Sequence, residues 1–255
     1  MSIPESQLEI WSRQGATTPS ANTYNSVKTV LLDRNAPFAV RAPEVFLQGS
    51  YVNDTNVARD SDVDIVAYTE NVFFHNAQSL PYDQFAAFNT HFSGATYSYK
   101  DYRNEITTWL RQHYGTGVRS GNKAIYIPAG SKRRDCDVLP AFEYRLYSNF
   151  HLSHQSNWQG GICFFLADGT QIINFPKQHS DNCTWKHQAT SSWFKPTVRI
   201  YKNMRNLMVE RGLLPDGMAP SYFIEGMLHN VPNENFRNSL SKCLSDETLN
   251  HMSHL

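Results

Sequence analysis

The stretch DSDVDIVAY, residues 60–68, decides the fold that this sequence predicts. Three closely spaced acidic residues lead into branched apolar ones, which is typical of the start of a buried β-strand. Because successive side chains of a strand point to opposite faces, Asp62 and Asp64 share one face of a strand predicted over Val63–Tyr68. Buried carboxylates side by side are unfavourable unless a cation neutralises them. We therefore interpret the stretch as a metal-binding strand, the alternative being a solvated turn.

A third acidic residue, Asp137, lies in a second predicted strand over Arg133–Leu139. A carboxylate on a neighbouring strand can complete a site opposite Asp62 and Asp64. Phosphoryl and nucleotidyl transfer use two divalent ions about 3.5–4 Å apart, and hard oxygen ligands suit Mg²⁺, with Mn²⁺ as a substitute. The sequence therefore predicts that these three aspartates are catalytic and bind two such ions.

A polar segment follows the strand predicted over Glu44–Gln48. Gly49 lets the backbone approach a phosphate closely, and Ser50 offers a hydroxyl and an N–H group to phosphate oxygens. We predict that Gln48, Gly49 and Ser50 bind the triphosphate of a nucleotide.

These motifs resemble a known family over roughly residues 20 to 230. The matching positions are Gly49-Ser50-Tyr51, Asn53, Thr55-Asn56, the acidic run at 60–65 and Asp137. They are similar to the polymerase-beta-type nucleotidyltransferases, and most closely to the bacterial relatives of cyclic GMP-AMP synthase and oligoadenylate synthase. The resemblance implies an α+β fold with a polymerase-beta-like mixed sheet, N-terminal helices and a C-terminal helical half.

The same resemblance implies an activity. Such enzymes make cyclic di- or trinucleotide second messengers from nucleoside triphosphates, here ATP and a second one, in anti-phage signalling of the CBASS type. It also implies a downstream effector that binds the product. Two alternatives stay open: a transferase that adds a nucleotide to a protein, an antibiotic or an RNA end, and a non-catalytic scaffold that senses nucleotides.

Further nucleotide-binding residues are implied in the C-terminal half. Lys195, Arg199, Lys202 and Arg205 share one face of a predicted helix, either to bind triphosphate or as a solvated basic face. By resemblance, Lys202 contacts the donor triphosphate, while Ser221 meets phosphate and Tyr222 stacks on the donor base. The alternative for Tyr222 is a core aromatic. We include Arg199, and Asn174 as a residue that lines the acceptor, although Asn174 equally fits a strand end or solvent.

The remaining pattern predicts helices, a central sheet and a polar connection. Helices are predicted over 5–13, 20–34, 82–93, 98–113, 193–211, 220–230 and 234–244. Further strands are predicted over 124–128, 143–147, 162–166 and 170–174, with a hairpin turn at 167–169 and an irregular polar segment over 175–190. We predict a catalytic core over 1–190 and a C-terminal helical half over 191–255, which form the two walls of a nucleotide cleft.

Composition restricts the partners. The 23 basic and 23 acidic residues cancel, which argues against binding long nucleic acid. No apolar run is long enough to span a bilayer, and four widely spaced cysteines suit a reducing compartment. We therefore expect a cytoplasmic monomer that does not enter a membrane. His179, Cys183 and His187 have spacing that suits zinc, but a fourth ligand is not evident.

Overall fold

The computed structural model describes residues 3–15, 17–58, 62–152, 156–236 and 239–244. The chain forms two compact units, one of Met1–Ser20, Gln48–Ser61 and Gln178–Leu255, the other of Ala21–Leu47 and Asp62–Lys177. We call them the helical unit and the sheet unit. Both are discontinuous in sequence, because segments 1–20 and 48–61 group with the C-terminal helices. The predicted functional division between residues 190 and 191 stays a prediction.

The sheet unit contains a seven-stranded mixed sheet. Its strands are β1 Glu44–Leu47, β2 Val63–His75, β3 Arg119–Ser120, β4 Ile125–Ile127, β5 Cys136–Asn149, β6 Asn157–Phe165 and β7 Gln171–Asn174. The order is β1-β2-β5-β4-β3, and β6 joins β5 and carries β7. Only β2 and β5 pair in parallel among these strands, and the other pairs are antiparallel. The predicted α+β class with a mixed sheet is confirmed.

Three helices belong wholly or mostly to this unit: α2 Thr18–Leu31, α3 Tyr82–His91 and α4 Tyr99–Tyr114. Helix α4 begins with a capping box, in which the Ser98 hydroxyl accepts from the amide of Asp101. It ends at Gly115, as predicted, where a φ of 86° favours glycine. Tyr102 on α4 packs against Phe142 of β5 with ring centroids 5.4 Å apart. This aromatic contact joins the helix to the centre of the sheet.

The helical unit is built from α1 Glu5–Ser12, most of α5 Pro176–Ala189, α6 Phe194–Glu210 and α7 Ser221–Asn230. Its core contains Phe194, Val198, Ile224, Leu228, Val231 and Phe236, all buried. Helices α6 and α7 supply this core at the i, i+3 and i+4 positions expected of an amphipathic helix. No helix in the described part of the chain is both long enough and apolar enough to cross a bilayer.

The prediction of an irregular segment over 175–190 is wrong, because α5 occupies it. Pro176 stands at the first helical position, where its missing N–H costs nothing. The helix buries Cys183 and Lys186, and a buried lysine hides the apolar periodicity that predicts a helix. The Lys186 ammonium is satisfied by the carbonyl oxygen of Val231 and by Asn233 Oδ1 at 2.7 Å.

Two other predictions differ from the structure. The strands predicted over 133–139 and 143–147 form one strand, β5, that runs through Pro140, and Pro140 pairs in register with Ala67. A central proline normally argues against a continuous strand. The helix predicted over 234–244 is wrong, since the described residues there form short 3₁₀ turns at Asn233–Asn235 and Lys242–Leu244, and residues 237–238 lie outside the described chain.

Inside the helical unit, the buried carboxylate of Glu225 accepts hydrogen bonds from four side chains. They are Lys202 Nζ at 2.9 Å, Thr55 Oγ1 at 2.5 Å, His179 Nε2 at 2.7 Å and Asn53 Nδ2 at 3.1 Å. Burial by itself would raise the pKa of Glu225, but the His179 hydrogen bond, the Lys202 charge and the hydroxyl of Thr55 lower it to about 2. Glu225 is therefore ionised, and it links segment 48–58 to three helices.

Substitution Glu225→Gln is expected to destabilise the chain in a pH-dependent way. A folded pKa below the ordinary value of 4.5 means that the carboxylate contributes fully above that value, and the contribution is lost as pH falls towards about 2. The shift corresponds to a contribution on the order of 3 kcal/mol near neutral pH.

Urea denaturation of the wild type and Glu225→Gln, from neutral pH to about pH 3, measures this contribution. The difference between their unfolding free energies should narrow as the pH falls below the ordinary glutamate value. A difference that stays constant across this range would contradict the ionised network.

Candidate active site

The parallel pairing of β2 and β5 brings two of the predicted metal ligands face to face. Asp64 and Asp137 are paired in register, and so are Val63 and Cys136. Paired residues of neighbouring strands point to the same face of a sheet, so both carboxylates emerge on one side. Asp62 precedes β2 by one residue and shares the alternation of Asp64. Cys136 is fully buried on the opposite face, as predicted.

The charges of these aspartates affect one another. Burial raises the pKa of Asp137, and the negative charges of Asp62 and Asp135 raise it further. Burial also raises the pKa of the Cys136 thiol, with additional contributions from Asp137, Asp64 and Asp62. The charge of Asp62 thus reaches Asp137, the charges of all three aspartates reach Cys136, and strand register pairs Asp64 with Asp137. Carboxylate oxygens that repel one another are a donor set that suits a divalent cation such as Mg²⁺.

Asp135 is a neighbouring acidic residue that the sequence interpretation did not assign. Its Oδ1 accepts from the Tyr126 hydroxyl at 2.5 Å and from the Ala129 amide at 2.8 Å, and both lower its pKa. Asp135 therefore stays ionised and adds its charge to the field around Asp137. Its position could have been predicted from the sequence, because residues two apart in a strand point to the same face and Asp135 stands two residues before Asp137.

The predicted phosphate-binding residues lie in a turn of the helical unit. Gly49 has a φ of 72°, which glycine adopts without strain. Its carbonyl oxygen accepts from the amide of Asn53 at 3.2 Å, and that of Ser50 accepts from the amide of Thr55 at 2.9 Å. Gln48 directly precedes this turn and is half-buried. The turn has a defined shape in the protein, and its binding of triphosphate stays a prediction.

Lys202 was predicted to contact a triphosphate, but its ammonium is bonded to groups inside the helical unit. The side chain is fully buried, and its ammonium donates to Glu225 Oε1 at 2.9 Å and to the carbonyl and hydroxyl oxygens of Thr55 at 3.1 Å each. A lysine ammonium has three donors, and three acceptors satisfy them. The predicted contact with the donor triphosphate would require Lys202 to exchange one of these acceptors for phosphate, and it stays a prediction.

The other cations of α6 also make internal contacts. Lys195 Nζ forms an ion pair with Asp54 at 2.9 Å, and Arg199 donates to the backbone carbonyl oxygens of Asp54 and Ser12. Arg205 donates to the carbonyl oxygen of Ala219 at 3.0 Å. This face is therefore not the solvated basic face of the alternative interpretation, since its cations hold segments of the helical unit together. Nucleotide binding by Arg199 stays a prediction.

The remaining predicted nucleotide-binding residues are accessible. Ser221 is the first residue of α7 and is half-buried, and Tyr222 follows with 70% of its surface exposed. The alternative interpretation of Tyr222 as a core aromatic is wrong. Asn174 ends β7 in the sheet unit, is exposed, and pairs in register with Ile162.

The residues of the zinc hypothesis do not form one cluster in the structure. His179 and Cys183 lie with Glu225, with donor atoms of all three within 4.8 Å of one another, while His187 Nδ1 accepts from the amide of Lys195 at 3.3 Å. Burial raises the pKa of the Cys183 thiol to about 12, and the Glu225 charge contributes. Zinc binds thiolate, and Glu225 is already paired with Lys202. This group is therefore best described as a hydrogen-bonded network.

A cavity of about 1810 Å³ occupies another part of the sheet unit. It is lined by residues that include Arg41, Phe73, Phe92, Tyr97 and Arg145, and the three aspartates are not among its lining residues. The cavity and the carboxylate site are therefore separate features of the unit.

Comparison with known proteins supplies the family. Residues 181–254 match the model of the cGAS/DncV-like nucleotidyltransferase C-terminal helical domain. The chain is 38% identical to the cyclic UMP-AMP synthase of Rhodothermus marinus over 242 residues, which covers 92% of this chain and 79% of the relative. It is 35% identical to the cyclic nucleotide synthase CdnE01 of Staphylococcus haemolyticus over 240 residues, with the same coverage.

Solved structures agree with this assignment. The Rhodothermus marinus c-UMP-AMP synthase with Apcpp and Upnpp superposes with a TM-score of 0.85 at 34% identity, covering 100% of this chain and 84% of that one. The Elizabethkingia meningoseptica cyclic dinucleotide synthase with GTP and Apcpp gives a TM-score of 0.75 at 30% identity, covering 98% and 82%. Shared sequence along nearly the whole chain and a shared fold lead to one conclusion: the chain belongs to the cGAS/DncV-like nucleotidyltransferases.

Proposed function

We propose that this chain makes a cyclic nucleotide second messenger from two nucleoside triphosphates in anti-phage signalling, and that Asp62, Asp64 and Asp137 are its catalytic carboxylates. The observation that carries the proposal is the register of β2 and β5, which sets Asp64 opposite Asp137 with Asp62 beside them. The family supports it, since the relatives that the chain matches over most of its length are named cyclic nucleotide synthases.

The three carboxylates would hold two Mg²⁺ ions, or Mn²⁺ in their place. Such ions would lower the pKa of a ribose hydroxyl that attacks the α-phosphate of a second triphosphate, and would neutralise the pyrophosphate that leaves when the phosphodiester forms and the α–β anhydride bond breaks. The protein's own part is to set the carboxylates close together at one end of two parallel strands, where a divalent cation would offset the cost of burial and repulsion that raises the pKa of Asp137. The turn at Gly49 and the exposed Tyr222 are the residues we assign to the triphosphate and to a base.

We propose ATP and a second triphosphate as substrates. UTP is the first candidate for the second, because the relative with 38% identity is named a cyclic UMP-AMP synthase. A downstream effector that binds the product, a monomeric state and a cytoplasmic location stay predictions. The product distinguishes a synthase from a transferase that modifies a protein, an antibiotic or RNA. The labelled nucleotide added by such a transferase would migrate with the acceptor molecule.

Asp64→Asn and Asp137→Asn are expected to abolish product formation. Each change removes a charge that faces the metal ions, so a loss of at least about 100-fold in rate is expected. The measurement is mass spectrometry of phosphatase-treated reactions with all four ribonucleotides and Mg²⁺. Asp168→Asn makes the same chemical change in the β6–β7 turn of the same unit and should retain full activity.

A wild-type chain that forms no phosphatase-resistant product with any mixture of nucleotides would contradict the synthase proposal. Equal activity of Asp64→Asn and the wild type would contradict the assignment of the carboxylates.

Asp137→Asn is expected to have opposite effects on stability with and without metal. In EDTA it removes a carboxylate whose pKa is raised by burial and by Asp62, so the variant should melt at or above the wild-type temperature. In Mg²⁺ the wild type should gain stability by mass action, about 2–4 °C for each kcal/mol of binding free energy, and the variant should gain little.

Differential scanning fluorimetry in both buffers tests this expectation, with Asp168→Asn as the control that should respond to Mg²⁺ as the wild type does. An Asp137→Asn chain that gains as much from Mg²⁺ as the wild type would contradict metal binding by Asp137.

A further inference from the structure

His179 on α5 packs against the ring of Tyr222 on α7. The two ring centroids are 4.6 Å apart and the planes are tilted by 33°, which is a stacking distance between aromatic groups. Both residues belong to the helical unit. Tyr222 nevertheless keeps 70% of its surface exposed. Its ring is therefore supported on one side and available to a ligand.

The position of the His179 ring is fixed by Glu225. His179 Nε2 lies 2.7 Å from Glu225 Oε2, and the ionised carboxylate can only accept, so Nε2 carries a proton and donates it. Glu225 stands three residues after Tyr222, on the same face of α7. The anchor of the imidazole and the ring that it supports therefore come from the same turn of the same helix.

Glu225 itself is held by donors outside α5 and α7. Lys202 of α6 and Thr55 of segment 48–58 donate to Glu225 Oε1. Asn53 of the same segment donates to Oε2, the oxygen that His179 also contacts. Only 2% of the Glu225 surface is exposed. The imidazole is therefore anchored to a carboxylate that other donors already hold in place.

We propose that His179 is a positioning residue for a nucleobase: Glu225 fixes the imidazole, the imidazole supports one face of Tyr222, and the opposite face of Tyr222 stacks on the base of a bound nucleoside triphosphate. This inference rests on the proposed function, because it assigns a nucleotide to the helical unit. An exposed tyrosine held in one orientation loses less conformational freedom when a base stacks on it. His179 would then act on affinity for the base through Tyr222, without touching the phosphates.

Two substitutions separate the ring of His179 from its hydrogen bond. His179→Gln keeps an amide N–H that can reach Glu225 but removes the aromatic face, while His179→Phe keeps the face and removes the donor. His179→Gln should weaken binding of α,β-methylene ATP about 5- to 10-fold, a part of the affinity that stacking on one base supplies. His179→Phe keeps the aromatic support but loses its anchor, so it should weaken binding less than His179→Gln does.

Inorganic triphosphate is the probe that separates positioning from general damage to the fold. It has the phosphates of the nucleotide and no base, so its affinity, measured by competition or calorimetry, should be the same in the wild type and in His179→Gln. His187→Gln makes the same change on the same helix, away from Tyr222, and should bind both probes as the wild type does. Equal weakening of both probes by His179→Gln would overturn the proposal, and so would equal losses in His179→Gln and His179→Phe.

A double-mutant cycle tests whether His179 acts through Tyr222. Tyr222→Ala should weaken α,β-methylene ATP binding, and adding His179→Gln to it should cause no further loss. Additive losses would overturn the positioning role.

The binding assays also separate this inference from the proposed function. Additive losses in a chain that still makes a cyclic product would refute the role of His179 alone. Base-dependent binding that follows the cycle, in a chain that makes no product, would refute the synthase and support the role of His179. A wild type that binds α,β-methylene ATP no better than inorganic triphosphate would overturn the role of His179, whether or not the chain makes a product.

Discussion

Asp64 and Asp137 stand opposite each other on two parallel strands, and Asp62 adds its charge to theirs. This arrangement depends on the sheet, because the pairing of β2 with β5 sets which residues of the two strands stand opposite each other. A slip by one residue would turn the carboxylate of one strand to the opposite face, where Val63 and Cys136 are fully buried. The apolar residues of the two strands therefore fix the positions of the charged ones. The raised pKa of Asp137 reflects the cost of this arrangement, which a divalent cation would offset.

The buried carboxylate of the helical unit, Glu225, has surroundings opposite to those of Asp137. Glu225 is surrounded by donors, and its pKa is lowered where that of Asp137 is raised. A carboxylate that must attract a cation is left among other negative charges, while one that holds segments together is fully hydrogen-bonded. The contrast explains why the cations of α6 are directed inward. Lys202 neutralises Glu225, and Lys195 pairs with Asp54 of the loop that contains the predicted phosphate-binding turn.

The strand that begins at the acidic residues could be predicted from the sequence because it depends on short-range alternation, while the fold class was implied by the resemblance to a family. The acidic positions of residues 62–64 and the apolar ones beside them are enough to predict a strand with one charged face. The helix over Pro176–Ala189 could not be found this way, since a buried lysine interrupts its apolar pattern. The network around Glu225 depends on contacts between residues up to 172 positions apart, such as Asn53 with Glu225. The ion pairs that Lys195 and Lys202 form with Asp54 and Glu225 also depend on such contacts, and spacing within one helix does not show them. The sequence did contain one indication of this network: Glu225 lies among the apolar residues of α7, and a buried glutamate needs a partner of opposite charge or hydrogen-bond donors.

We propose that the aspartates of β2 and β5 form a two-metal site. The stoichiometry of bound Mn²⁺, followed by electron paramagnetic resonance during titration in the presence of α,β-methylene ATP, tests this proposal. A two-metal site requires about two ions per wild-type chain, and loss of both in a chain that carries Asp64→Asn together with Asp137→Asn. Mn²⁺ binding that is unchanged by the two substitutions would contradict it.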